Sequence, residues 1–122
     1  MPLTGRHLKN LKRWVHRTQE MWEVFDQRFR DQPDSRMGVG FHAPSLTSAE
    51  ALQAALRQRK FWNIQAGRSR WPFRRRWEVY AEGPLPSPTD LPSVTRWIEE
   101  MIELGTEFGA DFDIWAPVRP GP

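Results

Sequence analysis

With 122 residues the chain amounts to one domain, and it carries no cysteine, which excludes disulfides, thiol catalysis and cysteine-based zinc sites. Its net charge of +3 conceals a division: residues 1–77 hold sixteen Lys/Arg and six Asp/Glu, a net +10, and residues 78–122 hold two and nine, a net −7. No apolar run approaches the roughly 20 residues needed to span a bilayer, and Met1–Arg6 has no apolar core of the signal-peptide kind, so a cytoplasmic protein without a membrane partner is expected.

The spacing predicts one long amphipathic helix from His7 to Arg30. Leu8, Leu11, Val15, Trp22, Phe25 and Phe29 recur at three- and four-residue steps, with Thr18 in the one missing place. Asp31-Gln32-Pro33-Asp34 ends it. From Arg36 to His42 the chain alternates Met37, Val39 and Phe41 with Gly38, Gly40 and His42, a strand with one apolar face and one nearly bare. Thr47 is the expected cap of a helix to Lys60, with Glu50 completing a capping box, Leu46 stapled onto Ala51, and Ala51, Leu52, Ala55 and Leu56 on the buried side.

A second strand follows from Phe61 to about Gly67, with Trp62, Ile64 and Ala66 on one side. Arg68-Ser69-Arg70-Trp71-Pro72 reads as a turn, and Phe73 to Glu82 as a third strand with Trp77, Val79 and Ala81 inward and Arg76, Glu78 and Tyr80 outward. Trp62 and Trp77 are thus expected in the core. The proline-rich stretch from Gly83 to Pro92 leads to a helix capped by Asp90 or Ser93 and ending near Gly109. Leu91, Val94, Ile98, Met101, Ile102 and Phe108 form its apolar face. Asp111 to Val118 is the last strand, with Phe112, Ile114, Ala116 and Val118 on one face and Asp111, Asp113 and Trp115 on the other.

The order is a helix followed by β-α-β-β-α-β. The fold class is therefore α+β: a ferredoxin-like antiparallel sheet with both helices on one face, preceded by the long N-terminal amphipathic helix. The division is residues 1–34 as helical extension, 35–118 as the domain and 119–122 as a frayed tail. The N-terminal stripe has two readings. It folds back over the bare sheet face, onto Gly38, Gly40, Tyr80 and Trp115, or it pairs with a second chain through residues 8–29.

Phe108-Gly109-Ala110-Asp111-Phe112-Asp113-Ile114-Trp115 resembles the closing motif of the regulator of ribonuclease E activity B family. In that family an acidic–aromatic–Asp–Gly–Trp strand follows a helix end. Asp113 and Trp115 match, Asp111 and Phe112 stand in for Glu and Tyr, and Ile114 replaces the Gly. Trp77-Glu78-Val79 and the Ala-rich run Ala49 to Arg59 are similar to the family's third strand and first helix, so the resemblance covers about residues 36–117. It implies a ferredoxin-like domain that binds a protein, a ribonuclease in the family's case, and inhibits it without catalysing a reaction.

The catalytic inventory is thin. Nucleophile-elbow, phosphate-loop and His-Glu-x-x-His patterns are absent, and His7, His16 and His42 lack metal-ligand spacing. Asp111 and Asp113 share a strand face without a third ligand in view. No cofactor, no metal and no enzymatic activity are expected. The candidate partner-binding residues are Arg68, Arg70, Trp71, Arg74 and Arg76 around the hairpin turn, with Tyr80, Asp113 and Trp115 on the open sheet face. Arginines flanking such a turn serve as solvent-exposed gatekeepers, as a dock for an acidic protein, or as contacts for RNA or DNA phosphates, and the residues leave all three open. An immunity-type or antitoxin inhibitor is a further alternative. The acidic helix face of Glu99, Glu100, Glu103 and Glu107 offers the basic hairpin a complement in a homodimer.

Overall fold

The computed structural model describes residues 3–69 and 76–119. Its elements in chain order are α1 (Gly5–Glu20), α2 (Trp22–Asp31), β1 (Arg36–Ala43), α3 (Leu46–Gln58), β2 (Trp62–Arg68), β3 (Trp77–Gly83), α4 (Leu91–Glu107) and β4 (Asp111–Val118). The four strands form one sheet in the order β2-β3-β1-β4, and every neighbouring pair is antiparallel. The protein is thus an α+β domain. Among the described residues no helix is long and apolar enough to cross a membrane. The turn residues Arg70, Trp71 and Arg74, the start of the third strand at Phe73, and Pro120 to Pro122 of the tail lie outside the described residues.

One face of the sheet carries the core. Met37, Val39, Phe41 and Ala43 of β1 are fully buried beside Val79 and Ala81 of β3 and Phe112 of β4. Ala49, Leu52 and Leu56 of α3 and Val94, Ile98, Met101 and Ile102 of α4 complete the same cluster. Capping explains where these helices begin. Ser45, in extended conformation, accepts from the Ser48 N–H at 3.1 Å, and Asp90 accepts from the Ser93 N–H at 2.9 Å with a proline in the first turn. The cap of α3 is therefore Ser45 and not Thr47, which lies one residue inside the helix; Leu46 stays exposed. At the far end of α4 Gly109 adopts φ +69°, the left-handed conformation that closes a helix cheaply only with glycine.

The N-terminal helix is not continuous. It breaks at Met21, where the backbone sits at φ −96°, ψ 4°. Thr18 supplies a physical reason: its hydroxyl donates to the Trp14 carbonyl oxygen at 2.7 Å, a back-bond of the kind that bends helices. The bend lets two segments follow one surface. Trp14 meets Phe112 edge-on at 5.7 Å, and beyond the bend Phe25 meets Trp115 at 4.9 Å. Trp14 and Phe29 belong to the same core cluster as the sheet. The helices therefore pack within the chain, but against α4 and β4 on the helix side, and not over Gly38, Gly40 and Tyr80.

A bulge decides the fate of β4. Its register against β1 shifts between Gly40 and Phe41: Phe41 faces Phe112, yet Gly40 faces Ile114, leaving Asp113 as the extra residue. Side-chain parity reverses there. Trp115, expected on the outward face with Asp113, lies opposite Val39 and is buried, 2% exposed. Its indole N–H donates to Thr18 Oγ1 at 3.1 Å, and its ring meets Trp97 of α4 at 6.1 Å. Ile114, expected inward with Phe112, is turned out and is 50% exposed.

A similar shift separates Trp62 from Gln65 in β2, next to Asn63 at φ +50°. Trp62 ends opposite Glu82 on the outward face, under the Arg36 guanidinium at 5.3 Å, and does not join the core as expected; Trp77 does pack against it.

Candidate functional site

Two surfaces stand out, and they adjoin. The first is the outward sheet face, on which no helix packs among the described residues. Its floor is made of glycine: Gly38 and Gly40 of β1 lie between Tyr80 of β3 and Ile114, Ala116 and Val118 of β4. A Cβ at Gly38 would come within 2.6 Å of Val118 Cγ2 and 3.1 Å of Tyr80 Oη, so these neighbours lie across the bare backbone. The result is a low apolar plate, with Ile114 of the edge strand β4 leaning over Gly40.

A buried carboxylate anchors one margin of the plate. Glu82 is 5% exposed and accepts from Arg36 Nη1 at 3.3 Å, from Tyr80 Oη at 3.2 Å and from the Asn63 amide. Three donors on one ionised carboxylate satisfy what burial would otherwise penalise. The left-handed backbone at Asn63 goes with this arrangement. The same neighbourhood pushes the Tyr80 phenol up to about 12, first through burial, then through the Glu82 charge and the hydrogen bond to it.

The second surface is a cleft of about 370 Å³ at the end of the sheet where β1 finishes and β4 begins. Arg6, His7, Lys9, Asn10 and Arg13 enter it from α1, His42 from β1, Arg76 from the residue before β3, and Asp111 and Asp113 from β4. Asp111 is gripped from two sides, by Arg6 Nε at 3.0 Å and Arg76 Nη1 at 3.2 Å, with His7 Nδ1 at 4.0 Å. His42 Nε2 lies 3.3 Å from Asp113 Oδ2, while its Nδ1 is buried without a partner. Asn10 Nδ2 donates to the Phe112 carbonyl at 2.7 Å and so fixes α1 against β4.

The His42–Asp113 pair has the form of an acid–base couple, but among the described residues no hydroxyl or thiol lines the cleft beside it. Among the described residues no group of three His, Cys, Asp or Glu is placed to hold a metal ion.

The sequence-predicted site residues separate accordingly. Arg76 and Asp113 come together in the cleft. Arg68 stands exposed at the end of β2, near Arg76 across the hairpin base, where the Ser69 N–H donates to the Arg76 carbonyl at 2.8 Å. Tyr80 belongs to the plate. Trp115 belongs to the core and takes no part in either surface.

Sequence reasoning missed Arg6, Lys9, Asn10 and Arg13, having read the N-terminal helix for its apolar stripe alone. A signal was there: no acidic residue occurs before Glu20, and Arg6, Lys9 and Arg13 recur at three- and four-residue steps.

The chain matches no protein-family model, no curated protein and no solved structure.

Proposed function

We propose that this chain is a non-catalytic regulator that acts by binding a partner protein, as do the ribonuclease regulators its closing motif resembles, and that the outward sheet face is the contact. The observation that carries the reading is Ile114. A β-branched apolar side chain stands half-exposed above a glycine floor, and among the described residues no layer covers the sheet there. Such a side chain, with His42 and Asp113 at one end of the plate and Arg36 at the other, has the apolar-patch and polar-margin composition of a protein interface.

Base stacking is poorly served on the same face. Tyr80 is tied to Glu82, Trp62 is covered by Arg36, and Trp115 is turned into the core. The ferredoxin-like assignment is supported by the strand order, which read from the other edge is β4-β1-β3-β2, within a β-α-β-β-α-β succession.

The test uses a ribonuclease E-type endoribonuclease cleaving a fluorogenic RNA. Wild-type protein is expected to slow cleavage at stoichiometric concentration, and Ile114→Asp to lose the effect while keeping its far-ultraviolet dichroism. A parallel nuclease-treated affinity capture should retain a protein with the wild type that Ile114→Asp releases. If cleavage is unaffected and the two captures are identical, the reading is wrong.

A further inference from the structure

We propose that the cleft between α1 and the end of the sheet binds the phosphodiester backbone of a nucleic acid, without reading its bases. The cleft adjoins the protein contact proposed above and shares His42 and Asp113 with its margin, but it does not include Ile114 and does not rest on that reading. Charge accounting within the cleft is the first argument. Asp111 is paired with both Arg6 and Arg76, and Asp113 Oδ2 lies 3.3 Å from His42 Nε2. Lys9 and Arg13 have no carboxylate partner among the described residues, so they present uncompensated positive charge on a helix whose first nineteen residues of chain contain no acid. A sequence pI near 9.9 with cations ranged along one helix is the electrostatic footprint of a phosphate binder.

Spacing is the second argument. Arg6, Lys9 and Arg13 stand three and four residues apart on one side of α1 and span roughly 10 Å of helix axis at 1.5 Å per residue. That length covers about three phosphates at 3.4 Å of axial rise per strand. Arg76 joins the row from the sheet.

The cleft suits a nucleic acid better than an acidic protein. A protein interface is built around desolvated apolar or aromatic anchors. Among the described residues the one apolar side chain lining this cleft, Phe112, is 2% exposed and offers a partner almost nothing. Phosphate contact needs no such anchor. It draws on counterion release and point charges, and these are what the cleft displays.

The experiment measures binding of the full chain to fluorescent mixed-sequence oligonucleotides, single-stranded and duplex, across a salt series, with poly-glutamate of equal length as a third ligand. Two phosphates neutralised by the uncompensated Lys9 and Arg13 predict a slope of log K against log salt of about −1.4 for single strands. Lys9→Ala/Arg13→Ala should weaken binding and remove most of that slope. Both residues are exposed, so the fold is not at stake. Arg57→Ala/Arg59→Ala removes the same charge from exposed positions at the end of α3 and should leave affinity and slope nearly unchanged.

Binding of either oligonucleotide form with this pattern supports the site. Three results overturn it: no binding at low salt, equal losses in both double variants, or tighter binding of poly-glutamate than of either oligonucleotide. Ile114→Asp should bind oligonucleotides as the wild type does, so failure here and failure of the protein contact are distinguishable.

Discussion

Tyr80 is the chain's one tyrosine, so its ionisation can be followed without interference from another phenol. The side chain lies across Gly38 and donates to Glu82, itself a buried carboxylate. Burial disfavours the phenolate, and the Glu82 charge and hydrogen bond disfavour it further, which together raise the group from 10.0 to about 12. The perturbation is Glu82→Gln, which keeps the shape and removes the charge. Tyrosinate absorbance, read within the dead time of a stopped-flow pH jump so that alkaline unfolding does not intrude, should show a midpoint near 12 in the wild type. Glu82→Gln should bring it down to between 10 and 12, because the burial contribution survives. The sign for stability follows. A raised folded-state value means the unfolded chain releases the proton first, so this contribution is intact below pH 10 and is lost as pH climbs from 10 through 12. A wild-type midpoint at the ordinary value, or one that Glu82→Gln fails to lower, would refute the account of this network.

Thr18→Val removes the acceptor of the Trp115 indole N–H in a site where Thr18 is 1% exposed, and the orphaned donor should cost about 1–3 kcal/mol, measured as a lower urea midpoint. Ser45→Ala should cost about 1 kcal/mol by the same assay, and Thr47→Ala only a few tenths; equal losses would mean that Ser45 is not the cap of α3.

The sequence announced the secondary structure well because its periodicities are strong. The alternation of Met37, Val39 and Phe41 survives intact in β1, and Asp90 and Gly109 bound α4 as their chemistry requires. Face assignment failed where a strand gains a residue. Alternation in Asp111 to Val118 is unbroken on paper, yet Asp113 bulges against β1, and every side chain beyond it changes face. Nothing local to β4 demands the bulge. It is settled by what Trp115 finds on the inward side: Thr18 for its N–H, Phe25 and Trp97 for its ring. The outward side would have offered that indole a glycine floor and water. Trp62 was misplaced for a related reason, since the shift beside Asn63 has no signature in the spacing of Trp62, Ile64 and Ala66. The cleft was invisible for a third reason: it joins Arg6 to Asp111 across 105 residues of sequence, and no local pattern reports such a pairing.

The position of the N-terminal helix is what couples fold to function here. A helix bearing Trp14, Phe25 and Phe29 had to be covered, and two places were open to it, the bare face of the sheet or the flank of α4. On the sheet it would have found glycines, which offer little area to bury against. On the flank it finds Phe112 and Trp115, the latter backed by Trp97, and each can bury far more. Aromatic area therefore draws the helix to the flank, and two consequences follow from that one choice. The glycine face keeps Ile114 exposed, and the polar side of α1 carries Arg6, Lys9 and Arg13 to the end of the sheet, where Asp111 and Arg76 meet them. The plate and the cleft are thus products of the same packing preference, and a change that moved α1 off α4 would be expected to disturb both at once.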